Sequence, residues 1–236
     1  MQKTIVFLFS LLVFSCAEKK SDKNLQITGN IKGLKKGTIY IQKVKDTSIV
    51  NIDTIQIDGD SHFATEMNIE SPEMYYLFLD RGVTKSIDNN LAFFVEPGQI
   101  NIETTLNFFS SDAKITGSKN QDLYNDYKLV TSRFVDQDLD LIKRKYEAIK
   151  SKNTQELNNI IEKQESILKK KYLYSTNFAV NNAAFEVAPY IALAEISDIN
   201  LKYLDTIQKS LSPKVSKSIY GKKLDELIKE RRKTEK

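Results

Sequence analysis

From Leu25 to about Thr116, apolar positions come in short runs rich in β-branched and aromatic residues, divided by turn residues. Leu25, Ile27 and Ile31 surround Gly29; Thr38 to Ile41, Ile49 to Ile57, Phe63 to Ile69, Met74 to Leu79, Leu91 to Val95 and Ile100 to Thr104 follow. Turns fall at Gly33 to Gly37, Asp58-Gly59-Asp60, Ser71-Pro72, Arg81-Gly82 and Glu96-Pro97-Gly98. Strands at this spacing predict an antiparallel sandwich or barrel. After Gly117 the period changes: Leu123, Tyr127, Val130 and Phe134 step by three and four, and Ile142, Tyr146 and Ile149 resume the stripe. Ser151 to Asn153 breaks it, and Leu157, Ile160, Ile161, Ile167 and Leu168 carry a second stripe. Two amphipathic helices joined this way predict an antiparallel hairpin, because neither buries its stripe alone.

Beyond the hairpin, Phe178 to Ile196 reads as a more buried helix, or as two divided near Pro189. Leu201 to Leu211 predicts a short helix, and Pro213 opens another that carries Val215, Ile219, Leu224, Leu227 and Ile228. The terminal KERRKTEK has nothing apolar to hold it and is expected to fray. The expected fold class is α+β, an all-β unit over 25–117 followed by a helical unit over 118–236.

The first residues read as targeting. Lys3 gives a positive start, and Ile5 to Phe14 is an apolar run too short to span a bilayer but of signal-peptide length. Val13-Phe14-Ser15-Cys16 resembles the lipobox of bacterial lipoproteins, with a bulky Phe14. That resemblance implies cleavage after residue 15 and lipidation of Cys16, with 16–24 as a solvated tether. The alternative for Cys16 is a buried thiol. Several acyl chains on one cysteine would fix the protein to a membrane, since each buried methylene contributes about 0.8 kcal/mol.

Four segments resemble the DUF4369 family: GNIKGLKKGTIYIQ, DTIQIDGDSHF, FFVEPGQINIE and AKITGSKNQDLY, together spanning about Leu25 to Tyr124. The resemblance implies the N-terminal domain of Bacteroidota lipoproteins that commonly stands ahead of a thioredoxin-like domain. SIYGKKLDELIKERRK resembles the lead-in to that domain, but no CxxC follows in this sequence, so thiol–disulfide chemistry transfers to no residue.

Composition narrows the chemistry. One cysteine excludes an internal disulfide and a cysteine-rich zinc site, and one histidine excludes H-E-x-x-H. There is no P-loop, nucleophile elbow or dinucleotide fingerprint. Of 236 residues, 35 are Lys or Arg and 31 Asp or Glu; loss of Lys3 with the leader leaves 34 − 31 = +3. That charge, with an export signal, argues against nucleic acid. The Lys-rich stretches IKRKYEAIKSK and LKKKYLY interleave with Glu147, Glu156, Glu162 and Glu165, as on a salt-bridge-laced helix face, or lean on anionic headgroups.

Asp136, Asp138, Asp140 and Glu147 imitate a calcium loop, but Leu141 stands where the loop needs Gly, so an acidic stretch joining helices is the plainer reading. His62 beside Asp58 and Asp60 is read as an exposed strand histidine next to turn-forming aspartates, and Glu96 as a turn residue. No catalytic residue, metal ligand or cofactor is expected. The expectation is a non-enzymatic envelope protein, lipid-anchored through Cys16 at the outer membrane, with the periplasmic face slightly favoured by the mixed charge of AEKKSD. It would bind or scaffold an envelope protein partner. Alternatives are an accessory to a separate thioredoxin-like protein, and a surface glycan or peptide module.

Overall fold

The computed structural model describes residues 22–82 and 87–235. Eight strands form two four-stranded sheets: β1 Leu25–Lys32, β2 Lys36–Lys45, β3 Ser48–Asp58, β4 His62–Met67, β5 Glu73–Asp80, β6 Asn90–Val95, β7 Gly98–Thr105 and β8 Lys114–Thr116. The sheet orders are β4-β1-β7-β8 and β3-β2-β5-β6. Alternation along each strand sends one row inward. Leu25, Ile27, Ile31, Ile100 and Ile102 from the first sheet share one buried cluster with Ile39, Ile41, Leu77, Leu79 and Phe93 from the second. Gly29 permits a close approach within the first sheet, since a Cβ there would lie 2.4 Å from both Ile102 O and the Phe63 ring.

The sandwich is antiparallel except for one pair. β1 and β7 run parallel, from Leu25 opposite Gly98 to Lys32 opposite Thr105. Alternation reports which face of a strand is buried, and says nothing of the direction of a neighbour some seventy residues away. The chain between them crosses to the second sheet and returns, as a parallel pair requires.

Gly117, at φ +95°, turns the chain out of β8; a Cβ there would stand 1.9 Å from Gln99 O. Ser118 then caps α1 (Lys119–Lys150), its side chain accepting from Gln121 N. Asn153 caps α2 (Thr154–Asn181) in the same way through Glu156 N. The break at Ser151 to Asn153 is where the periodicity places it. α3 (Val187–Ala194), α4 (Leu201–Ser210), α5 (Pro213–Ser216) and α6 (Ile219–Thr234) complete the chain.

Three local expectations are corrected. The division of 178–196 falls at Asn182, where α2 ends, and not at Pro189. Pro189 occupies the first turn of α3, where the backbone donors have no helical acceptor to lose. The helix opened by Pro213 stops at Ser216, and Ser218 caps a second one, its hydroxyl accepting from Gly221 N. The basic end does not fray. Arg231 Nη1 donates to Ser197 O and Ile199 O, both at 2.7 Å, and Arg232 pairs with Asp205 at 2.5 Å. The fastening is polar, and a search for apolar residues misses it.

Candidate functional site

The acidic residues suggested as a calcium loop all lie within α1, where Asp138 projects from the side opposite Asp136, Asp140 and Glu147, and Glu147 stands about 10 Å further along the axis than Asp140. Asp138 Oδ1 accepts from Gln164 Nε2 at 2.7 Å across the hairpin. Among the described residues, no three of His, Cys, Asp and Glu stand together as a metal site. His62 and Asp60 pair at 2.7 Å on the surface, and the His62 amide also donates to Asp60. That amide, with the ring, holds the Asp60 carboxyl below its ordinary value, which is turn chemistry. Asp58 ends β3 beside the same turn. The lysine-rich stretches lie on α1 and α2, where Arg144 pairs with Glu156. Cys16 lies outside the described residues. Among those described, no helix is long and apolar enough to cross a membrane.

Glu96 does more than shape a turn. Its Oε1 accepts from Lys119 N at 2.7 Å, and its Oε2 from Asn120 N at 3.2 Å and Asn120 Nδ2 at 2.8 Å. A carboxylate at the first amides of a helix also meets the positive end of its dipole. Asn120, 2% exposed, extends the link, its Oδ1 accepting from Val187 N at 2.8 Å. One carboxylate and one amide thus join the β6–β7 turn, the root of α1 and the start of α3. Sequence could suggest only the Glu96 half of this, because its partners lie 23 residues and more downstream.

The helices cover the outer face of the second sheet. Phe94 packs edge-on against Tyr124, Tyr190 and Tyr220, with ring centroids 5.7, 5.1 and 6.5 Å away. Such pairs contribute about 0.5–1.5 kcal/mol each beyond their buried area. Two strand amides without a strand partner are met by helix side chains: Phe94 N donates to Gln121 Oε1 at 2.7 Å, and Met74 N to Tyr220 Oη at 2.8 Å. Burial pushes the phenols of Tyr127, Tyr190 and Tyr220 well above their ordinary range and raises that of Tyr124. These aromatic rings form a structural joint.

Beneath the joint, a cleft of about 290 Å³ holds Glu186, which is 3% exposed, together with Ser71, Lys214, Lys217 and Lys222. Glu186 Oε1 and Ser71 Oγ have no hydrogen-bond partner among the described residues. Asn120 Nδ2 approaches Glu186 Oε2 at 3.5 Å, and three lysines line the same cleft, so the acid has opposing charge to hand.

The hairpin supplies a different surface. At 32 residues α1 is about 48 Å long, and only its first half carries buried contacts toward the sheet. The outer half has a core made by the two helices themselves, from Leu141, Ala148 and Ile160 with Leu157 and Ile167. Beside it runs a second row that none of the described residues covers: Val135, Leu139, Ile142, Tyr146 and Ile149, exposed by 49–74%. Ile161 and Leu168 of α2 continue it into a groove of about 540 Å³ floored by Phe134. The periodicity predicts that Ile142, Tyr146 and Ile149, with Ile161 and Leu168, belong to the hairpin's own seam; these five are exposed instead, and Leu141 and Ala148 of α1 make that seam with Leu157, Ile160 and Ile167 of α2. α1 has two stripes.

Residues 25–124 match the family model of DUF4369, a domain of unknown function, and form that domain here. The match begins with β1 and ends at Tyr124, so it takes in Glu96, Asn120 and two rings of the aromatic joint, Phe94 and Tyr124. No curated protein matches the chain.

Proposed function

We propose that this protein is a non-catalytic scaffold of the bacterial cell envelope, held at the outer membrane by lipid on Cys16 and docking a partner through the α1–α2 hairpin. The observation that carries this reading is the bare apolar row of the outer hairpin. Patches of this kind on a polar surface mark interaction sites. The polar residues suggested for chemistry support it from the other side: Glu96, Asp60 and Asp138 are each engaged in bonds that hold the fold. The anchor rests on Val13 to Cys16 and the apolar run before it, and the mixed charge of AEKKSD favours the periplasmic face.

Detergent phase separation of the full chain from its own membranes tests the anchor. The wild type is expected in the detergent phase and Cys16→Ala in the aqueous phase; equal partitioning overturns the reading. A second reading, an accessory to a separately encoded thioredoxin-like protein, draws on the DUF4369 domain at 25–124. It requires such a protein to co-purify with the lipoprotein and to lose that association when the hairpin face is altered.

A further inference from the structure

We propose that the bare face of the outer hairpin is a homodimer seat, on which α1 of a second copy lies antiparallel across α1 to make a four-helix bundle. This deepens the docking-arm reading by naming the partner, and it rests on that reading.

The stripe has the spacing of a coiled-coil seam. Val135, Leu139, Ile142, Tyr146 and Ile149 step by four, three, four and three. An isologous contact must be self-complementary, so that residue i meets residue j while j meets i. In an antiparallel pair, Leu139 then meets the partner's Ile142, and Val135 meets the partner's Tyr146. The charges beside the seam obey the same rule. On one flank Asp136 is followed a heptad later by Lys143, and on the other Asp138 is followed by Lys145. Antiparallel, each flank faces its own copy. Asp136 therefore meets the partner's Lys143 and Asp138 the partner's Lys145, giving four opposite-charge contacts about one axis between Leu139 and Ile142. A parallel pair would keep Asp138 against the partner's Lys143 but set Lys145 against the partner's Lys150, since opposite flanks then meet five residues apart, so only the antiparallel pair matches every flanking charge named here.

The second helix agrees. The bond between Asp138 and Gln164 and the pair between Arg144 and Glu156 set the levels of the hairpin, placing Ile161 beside the stretch from Leu139 to Ile142. Ile161, 44% exposed, thus lies near the same axis and meets its own copy. The opposite side of the hairpin is lined by Gln137, Asp140, Arg144, Lys163 and Lys170 around Leu141 and Ile167 of the hairpin's own core, so its exposed positions are polar.

Sedimentation equilibrium of the full chain in mild detergent tests this. The wild type should be dimeric. Lys143→Asp sets like charges together and should weaken the dimer roughly tenfold, and Asp136→Lys combined with Lys143→Asp should restore it. Leu139→Asp, at a position exposed in the single chain, should give monomer with an unchanged far-ultraviolet circular dichroism spectrum. A monomeric wild type, an assembly larger than two, or a dimer indifferent to Lys143→Asp and Leu139→Asp overturns the proposal. A monomer that still follows Cys16 into the detergent phase, and still co-purifies with another envelope protein through this face, sinks the dimer while leaving the scaffold reading intact.

Discussion

Replacing Asn120 with alanine removes one small side chain and should loosen three parts of the molecule together. The amide donates to Glu96 Oε2 at 2.8 Å and accepts from Val187 N at 2.8 Å, at 2% exposure. Loss of the bond to a carboxylate costs about 1.5–3 kcal/mol, and an orphaned buried Val187 amide about 1–3 kcal/mol more. Alanine returns roughly 0.5 kcal/mol through better helix propensity, and Glu96 keeps its two backbone donors. The net expectation is a loss of about 2–5 kcal/mol, a large share of the roughly 5–15 kcal/mol that separates folded from unfolded domains. With no tryptophan and eleven tyrosines, the chain is best followed in urea by near-ultraviolet tyrosine dichroism beside the far-ultraviolet helix signal. The tyrosine signal should go first, because Tyr124, Tyr190 and Tyr220 stand at the joint. Asn158→Ala, on the exposed side of α2, is the control. A loss below about 1 kcal/mol, no greater than the control and with the two signals still coincident, would refute the coupling of turn, α1 and α3 through this residue.

Two further predictions concern titration. The phenols of Tyr124, Tyr127, Tyr190 and Tyr220 are raised by burial, so the folded chain holds their protons longer than the unfolded chain. Their stabilisation is complete below pH 10 and is lost as pH climbs beyond it, so phenolate absorbance from these rings should rise together with unfolding. All eleven tyrosines ionising near pH 10 in an intact fold would contradict this. Glu73 is 8% exposed, and desolvation raises its carboxyl above the model-peptide 4.5 despite Lys43 at 3.4 Å. Its folded pKa being raised, its contribution is full below pH 4.5 and shrinks as pH rises through the raised value. The stability difference between wild type and Glu73→Gln should therefore shift in favour of the variant from pH 4 to 7, measured by urea midpoints; a constant difference would rule this out.

What could be read from sequence followed the range of each interaction. Alternation at Ile100-Asn101-Ile102-Glu103 and the three-four steps from Leu123 to Phe134 are local, and they yield strands, helices and the hairpin break. Pairing is not local, so the parallel β1–β7 neighbours carry no pattern of their own. Polar fastening is hidden for the same reason: Arg231 looks like solvated tail until Ser197 and Ile199 are brought to it. Pro189 misleads because a proline's missing N–H costs a helix a hydrogen bond only beyond its first turn. The outer row on α1 was visible as letters, but only the count of faces already occupied by α2 shows that one remains.

Asn24 O accepts from Gly98 N at 2.8 Å, two residues past the carboxylate that seats α1, so the chain enters the fold at the foot of its own mast. For a moored molecule, the mast and not the slack of the rope then fixes how far the crown stands from the entry point. Splicing one heptad into each limb of the hairpin would lift the crown by about 10 Å without disturbing the base. The distance from entry point to crown thus becomes a quantity that evolution, or an experimenter, can dial in whole turns.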